Sequence, residues 1–209
     1  MNLVTIMLPN FNGEKYIERA IESIKAQTMP NFVCNIVDDA STDNSVSIIL
    51  NAIKNDKRFN LIRLGENKKI ANARNTAAKL ATTPYLAALD SDDEWLPNHL
   101  SLRLDYILKT DYDYLYGEMK VIGDPYVVDK NNPERLAHVT EFSQGATIFI
   151  KTDVFWKIGG YKHLYGEDGD FWERAINMGF KLKRVDFATY LYYRNPGSIT
   201  DLMAKGIFK

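Results

Sequence analysis

From Leu3 to Leu89 the apolar residues fall into short continuous runs, each closed by a polar loop and followed by a stripe at helical spacing. Leu3, Val4, Ile6, Met7 and Leu8 form the first run, the pattern of a strand buried on both faces of a parallel sheet. Pro9 and Asn10 break it, Asn12 and Gly13 make a turn or cap, and Tyr16, Ile17, Ala20, Ile21 and Ile24 continue as a helix until Thr28, Met29 and Pro30. The unit then repeats. A strand from Val33 to Val37 ends in Asp38 and Asp39, and a helix follows with Val46, Ile49, Leu50 and Ile53 on one side. A third strand, Leu61 to Leu64, leads through GENKK to a helix with Ile70, Ala73, Ala77 and Leu80, and the strand Tyr85 to Leu89 comes directly after it. Strands alternating with helices in this way predict a parallel α/β sheet wound by right-handed crossovers. Ligands of such sheets bind beyond the carboxyl ends of the strands, which places Asn10 and Asn12, Asp38 and Asp39, and Asp90 to Asp93 on one rim. No GxGxxG or Walker loop follows the first strand, so neither a dinucleotide fold nor an NTPase is supported.

The second half is less regular. A helix is expected from Pro97 to Leu108, then the aromatic stretch Tyr112, Tyr114, Tyr116, then a hairpin over Val121 to Val128 turning near Gly123, Asp124 and Pro125. Residues 129 to 144 are polar without a period and read as a surface loop. Ala146 to Ile150 reads as a strand, Thr152 to Trp156 as a short helix ended by Gly159 and Gly160, and Phe171, Trp172, Ala175 and Ile176 as a helix stripe capped by Gly179. Two closing strands, KLKRV and ATYLYYR, precede a polar tail.

Composition narrows the class. At 209 residues and 45% hydrophobic content the chain can bury one good core, so a single domain is expected over 1–209. Balanced charge, 26 basic against 27 acidic residues, gives no footprint for nucleic acid or an anionic membrane. One cysteine, Cys34, excludes an intramolecular disulfide and a Cys-rich zinc site, which makes a reducing compartment the default. The short apolar start before Pro9 reads as a strand and not a signal peptide, and no segment has the length of a membrane span. The three histidines, His99, His138 and His163, show no ligand spacing and read as surface or loop residues.

Candidate chemistry gathers at residues 85 to 97, YLAALDSDDEWLP. Asp90, Asp92 and Asp93 crowd together at the end of a buried strand, where carboxylates repel one another unless a cation or solvent compensates. Oxygen ligands with no His or Cys nearby point to Mg²⁺ or Mn²⁺. The same residues also fit a strand end before a helix N-terminus, with Pro97 in the first turn and acids favouring the dipole.

Seven landmarks in order, LPNFNGEKYIERAIESIKAQT, IVDDASTDNS, ENKKIANARNTA, ALDSDDEWLPN, IGGY, GEDGDFWERA and YYRNPGSIT, make the chain resemble a family 2 glycosyltransferase of GT-A fold, from Leu3 to Thr200. The resemblance implies a Rossmann-like mixed sheet flanked by helices, with residues 1–96 as the half that binds the nucleotide sugar and 97–209 as the acceptor half. It implies that Pro9, Asn10 and Asn12 line the donor pocket and that Asp38 or Asp39 accepts from the nucleotide base. Ala40 stands where Gly is usual in that segment. Arg74 is implied near the base and diphosphate, Asp90 and Ser91 near the ribose, and Asp92, with Asp90, at a Mn²⁺ or Mg²⁺ ion. Asp93 is implied to support them. Asp168 matches the general base, with Glu167 the competing candidate, and both acids also suit a helix start. Trp172 would wall the acceptor site, although Phe171 and Trp172 also fit a core stripe. Arg194 and Ser198 belong to a loop that would close over the donor. Many relatives continue beyond this segment, whereas this sequence stops at Lys209.

The expected reaction is an inverting, metal-dependent transfer of a sugar from a nucleotide donor to a carbohydrate or lipid-linked acceptor. UDP-sugars come first, GDP- and dTDP-sugars behind. Specificity is expected in residues 116 to 145 and 159 to 166. The setting implied is the cytoplasm, with at most peripheral contact at the inner face of the membrane, for polysaccharide or glycoconjugate assembly. Two other readings stay open: a sugar nucleotidyltransferase, which LPNFNGEK argues against because it lacks a Gly-rich basic loop, and a non-catalytic sugar-nucleotide or glycan-binding module.

Overall fold

The computed structural model describes residues 1–129, 132–142, 147–164 and 166–195. Ten strands and six α-helices occur among them: β1 Val4–Asn10, α1 Ile17–Lys25, β2 Phe32–Asp38, α2 Ser45–Ile53, β3 Phe59–Arg63, α3 Lys69–Lys79, β4 Tyr85–Ala88, β5 Glu94–Trp95, α4 His99–Leu108, β6 Tyr114–Ile122, β7 Tyr126–Asp129, β8 Asn132–His138, β9 Phe149–Lys151, α5 Thr152–Ile158, α6 Glu167–Asn177 and β10 Leu182–Tyr193. An eight-stranded mixed sheet runs in the order β3-β2-β1-β4-β9-β6-β10-β5, and β7 and β8 form a separate two-stranded ribbon.

β3, β2, β1 and β4 are parallel, as the alternating pattern predicts. β1 is buried at every position because helices cover both faces of the sheet, and its alternate side chains feed two cores. Ile6 and Leu8 pack with α1 residues Ile17 and Ile21, and also with Leu100 of α4. Met7 packs on the other face with Ala73, Ala77, Leu86, Phe155 and Phe171. Full burial of each such aliphatic side chain contributes about 1.5–3 kcal/mol. Register pairs Asn10 with Asp38, so the carboxyl ends of β1 and β2 lie side by side, and β4 brings Asp90 to the same rim.

Beyond β4 the sheet changes direction. β9 runs antiparallel to β4 and β6, β6 pairs parallel with β10, and β5 pairs antiparallel with β10. Several expectations are corrected in this half. β6 does not fold back on β7; the ribbon is β7 with β8, so strand occupies 132–138, where a loop was expected. β8 gives no apolar period because Glu134, Arg135 and Leu136 are all exposed. The closing strands are one strand, β10, whose pairing with β6 shifts between Val185 and Tyr190. α4 begins at His99, and Pro97 lies outside it because the chain first forms the short strand β5. His99 is fully buried, against the surface reading: it stacks on Trp95 at 4.1 Å and faces buried Arg103. Burial, and then Arg103, hold the His99 pKa well below its usual value, while burial lowers that of Arg103 to about 9. α5 ends as expected, with Gly159 in the left-handed region at φ 95°. Ala146 and Ser198 lie outside the described residues.

Candidate active site

The rim is built from three turns. After β1, the Asn10 side chain donates to Asp38 Oδ1 at 2.9 Å and reaches Ser41 Oγ at 3.2 Å. Ser41 donates to Asp38 through both Oγ and N–H, at 2.6 and 3.1 Å. Asn12 Oδ1 accepts from the Thr42 N–H at 2.8 Å, which zips the β1 and β2 loops together. Gly13 is required by close approach, since a Cβ there would lie 2.3 Å from Asn10 Oδ1 and 3.4 Å from Ser91 Oγ. Asp39 receives the N–H groups of Lys68 and Lys69 at 2.7 and 2.8 Å, capping α3. Asp43 accepts from the N–H groups of Glu14 and Ser45 at 3.0 Å each, so it is Asp43 that serves the helix directly after it.

The turn after β4 is held differently. Buried Asp93 accepts from Tyr190 Oη at 2.7 Å and from the Tyr193 N–H at 2.8 Å, so β10 grips it on both oxygens. Burial, and then Asp92 and Asp90, raise the Asp93 pKa well above the carboxylate range. Asp92 also has a raised pKa, from burial and then from Asp90, but among the described residues the one side chain that bonds its carboxylate is the Asn195 amide, at 3.5 Å.

Arg74 joins this turn to α6. It is 3% exposed, and its terminal nitrogens bond Asp90 Oδ1 at 2.6 Å and Glu167 Oε1 at 2.9 Å. Burial, the largest influence, works against its charge, yet Asp90, Tyr161 and Glu167 outweigh it and hold the guanidinium pKa well above its usual value. Burial raises the Glu167 pKa, with Arg74 opposing and Asp168 reinforcing the rise. Asp168, one residue on in the first turn of α6, accepts only the Gly169 N–H, at 2.9 Å, and forms no ion pair among the described residues. Beneath lies the turn before α6: Asn75 of α3 holds the Tyr161 backbone at both N–H and C=O, at 2.9 and 2.7 Å, and Arg174 holds the carbonyls of Ile158 and Gly160. The Tyr161 hydroxyl, the indole N–H of Trp172 and Arg74 Nε are buried without a hydrogen-bond partner among the described residues. All charged ligands available at the rim are oxygens or guanidinium nitrogens, and among the described residues no group of three His, Cys, Asp or Glu converges to cage a metal.

A family model described as Glycosyl transferase family 2 matches residues 5–159. The chain belongs to glycosyl transferase family 2. Among curated relatives in family 2, it is 36% identical over 128 residues to an Escherichia coli UDP-Glc:alpha-D-GlcNAc-diphosphoundecaprenol beta-1,3-glucosyltransferase, WfgD, covering 61% of this chain and 50% of that one. A second E. coli enzyme of the same description, WfaP, is 29% identical over 206 residues, covering 96% of this chain and 80% of that one. TuaG of Bacillus subtilis, a putative teichuronic acid biosynthesis glycosyltransferase, is 34% identical over 65% of this chain and 55% of its own. The chain thus spans about half the length of WfgD and TuaG. Among solved structures, Staphylococcus aureus TarS 1-349 in complex with UDP-GlcNAc superposes with a TM-score of 0.78 at 26% identity, over 95% of this chain and 60% of that one. A Pyrobaculum calidifontis mannosyltransferase, PcManGT, in complex with GDP-Man and Mn²⁺, shares the fold at 20% identity and a TM-score of 0.74, over 93% of this chain and 58% of that one.

Direct contacts join Asn10 to Asp38, and Arg74 to both Asp90 and Glu167; Asp39 caps α3, and Asp92 and Asp168 are each held at the site through the neighbouring anchored acid, Asp93 or Glu167. Pro9 is buried inside β1, and Asn12, exposed, serves its neighbouring loop. Arg74 is no solvated helix arginine. Phe171 is core, at 0% exposure, while half-buried Trp172 packs edge-on against Tyr116 at 6.1 Å. Arg194 follows β10, with its Cβ 3.1 Å from where a Cβ on Gly123 would sit and one guanidinium nitrogen buried without a partner among the described residues. Ala40 adopts φ 62°, so the turn usually given to Gly persists with an alanine in it. Asn75 stood within the segment ENKKIANARNTA without a role of its own, and its amide faces a turn far along the chain. Tyr161 stood within the quoted IGGY segment without a role of its own.

Proposed function

We propose that this protein is an inverting glycosyltransferase that moves a sugar from a UDP-sugar to a lipid-linked acceptor. The observation that carries this is the pair Asp92 and Asp168: each is the loosely bonded carboxylate next to an acid that Arg74 or β10 holds fast. In this reading residues 1–96 bind the donor and residues from 97 on bind the acceptor. The base lies by Pro9 and Asn10, beside the wall that Asp38 and Asp39 build, and Ser91 and Asp90 lie near the ribose.

A divalent cation fits the donor set. Asp92 is an oxygen ligand with a free coordination face, Asp90 keeps one oxygen beyond its bond to Arg74, and donor phosphates and water would complete the shell, the arrangement Mg²⁺ and Mn²⁺ favour. When bound, the ion would neutralise negative charge developing on the departing diphosphate. Asp168 takes the proton of the acceptor hydroxyl as that oxygen forms its bond to the anomeric carbon from the face opposite the breaking bond to the diphosphate; the configuration inverts in this single displacement. Glu167 is the weaker choice of base because Arg74 occupies it. The names of WfgD and WfaP favour UDP-glucose and a diphosphoundecaprenol-linked GlcNAc acceptor. Such an acceptor puts the protein at the inner face of the membrane, although no helix among the described residues is long and apolar enough to cross it.

Release of nucleoside diphosphate from UDP-, GDP- and dTDP-sugars, with Mn²⁺, Mg²⁺ or EDTA and a short-chain GlcNAc-diphospholipid, tests this. UDP release that needs both metal and acceptor is expected. Pyrophosphate release would replace the reading with nucleotidyl transfer, and metal-dependent binding without turnover would replace it with a binding module.

A further inference from the structure

Arg19, on α1, stands within the segment LPNFNGEKYIERAIESIKAQT, where the resemblance gives it no role of its own, yet it contacts the turn after β4 at both Asp92 and Glu94. One terminal nitrogen donates to the main-chain carbonyl of Asp92. Its Nε lies 2.9 Å from Glu94 Oε1, a charge contact whose N–H points off the axis. Its guanidinium carbon sits 3.6 Å from the centre of the Tyr193 ring and 5.6 Å from that of Tyr16. Tyr193 in turn donates its hydroxyl to the same Glu94 oxygen at 3.0 Å and its N–H to Asp93 at 2.8 Å. One guanidinium therefore ties α1, the turn after β4 and the end of β10 together.

The clamp holds the main-chain carbonyl of Asp92 and the side chains of Asp93 and Glu94 that follow it, and leaves the Asp92 side chain almost unbonded, at 3.5 Å from Asn195. Outer contacts that fix a ligand's direction while leaving its oxygens free are how proteins prepare metal ligands, and their loss typically costs 10- to 100-fold in metal affinity. With its side chains 33% and 22% exposed, the Arg19–Glu94 ion pair is partly screened by solvent, so its charge alone does not account for the arrangement. Lysine cannot replace it, since only a planar fork can stack on Tyr193 while it serves a carbonyl and a carboxylate at once.

We propose that Arg19 is a positioning residue that aims the Asp92 carboxylate at the divalent cation of the bound nucleoside diphosphate. This rests on the assignment of Asp92 as a metal ligand. Calorimetric titration of UDP, with and without Mn²⁺, into the wild type, Arg19→Met and Arg19→Lys, alongside melting curves, tests it without turnover. The expected result is unchanged metal-free affinity, a Mn²⁺-dependent gain in affinity that falls about 10- to 100-fold in Arg19→Met, a smaller fall in Arg19→Lys, and nearly unchanged melting. Arg19→Met that keeps the full Mn²⁺ gain would overturn the role of Arg19 alone. So would a variant that loses melting temperature and metal-free affinity in parallel, since that is a structural role. A wild type with no Mn²⁺ gain would overturn the Asp92 assignment and this proposal with it.

Discussion

Two pairs of adjacent aspartates stand at the carboxyl ends of the two parallel strands that flank β1, Asp38 with Asp39 at the end of β2 and Asp92 with Asp93 after β4, and the protein uses them in opposite ways. Asp38 and Asp39 spend their oxygens on Asn10, Ser41 and the start of α3. In the second pair only Asp93 is spent, on Tyr190 and Tyr193, and Asp92 stays nearly free. The same division recurs on α6, where Glu167 is held by Arg74 and Asp168 is not. The first pair therefore builds the wall of the site, while the second pair and α6 each set one free carboxylate beside one that is anchored. Hydrogen-bond accounting separates these roles although the residue types do not.

Cutting the link between the two regions should have the largest effect. Arg74→Met leaves Asp90 and Glu167 facing each other without their shared cation, and loss of one partner from a buried ion pair costs about 3–5 kcal/mol. Urea denaturation should show a loss of that order, and a loss below about 1 kcal/mol would mean that the two loops are placed independently. A smaller effect, of opposite sign, sharpens the contrast from the Asp38 side. Ala40 sits at φ 62°, a conformation that costs an L-residue about 1–2 kcal/mol, so Ala40→Gly should stabilise the wall by a few tenths to about 1 kcal/mol after glycine's added unfolded-state entropy. A lower melting temperature in Ala40→Gly would show that the turn is not strained.

The first half of the fold was legible because a sheet covered on both faces makes strands such as β1 and β2 continuous apolar runs, and because α1 and α3 carry clean stripes. The second half hid its topology for identifiable reasons. β5 is a two-residue strand, too short for any period, and β8 exposes Glu134, Arg135 and Leu136 in succession. β10 is interrupted where Thr189 turns its hydroxyl and carbonyl toward Arg103 and His99, so one strand read as two. His99 and Arg103 put polar atoms on the buried side of α4, where the pattern rule expects apolar ones. Of the site, the residues given roles by the resemblance were legible, whereas the roles of Arg19 and Asn75 and the anchoring of Asp93 depend on contacts between distant segments that spacing does not encode.

The most direct test of the division between anchored and free carboxylates is to measure Mn²⁺-dependent UDP binding and UDP-sugar turnover together on Asp92→Asn and Asp168→Asn. The account predicts that Asp92→Asn loses the metal-dependent part of UDP binding. It predicts that Asp168→Asn binds UDP and Mn²⁺ like the wild type while turnover falls by about 10²- to 10⁴-fold. Metal-dependent binding that survives in Asp92→Asn, or turnover that survives in Asp168→Asn, would contradict it.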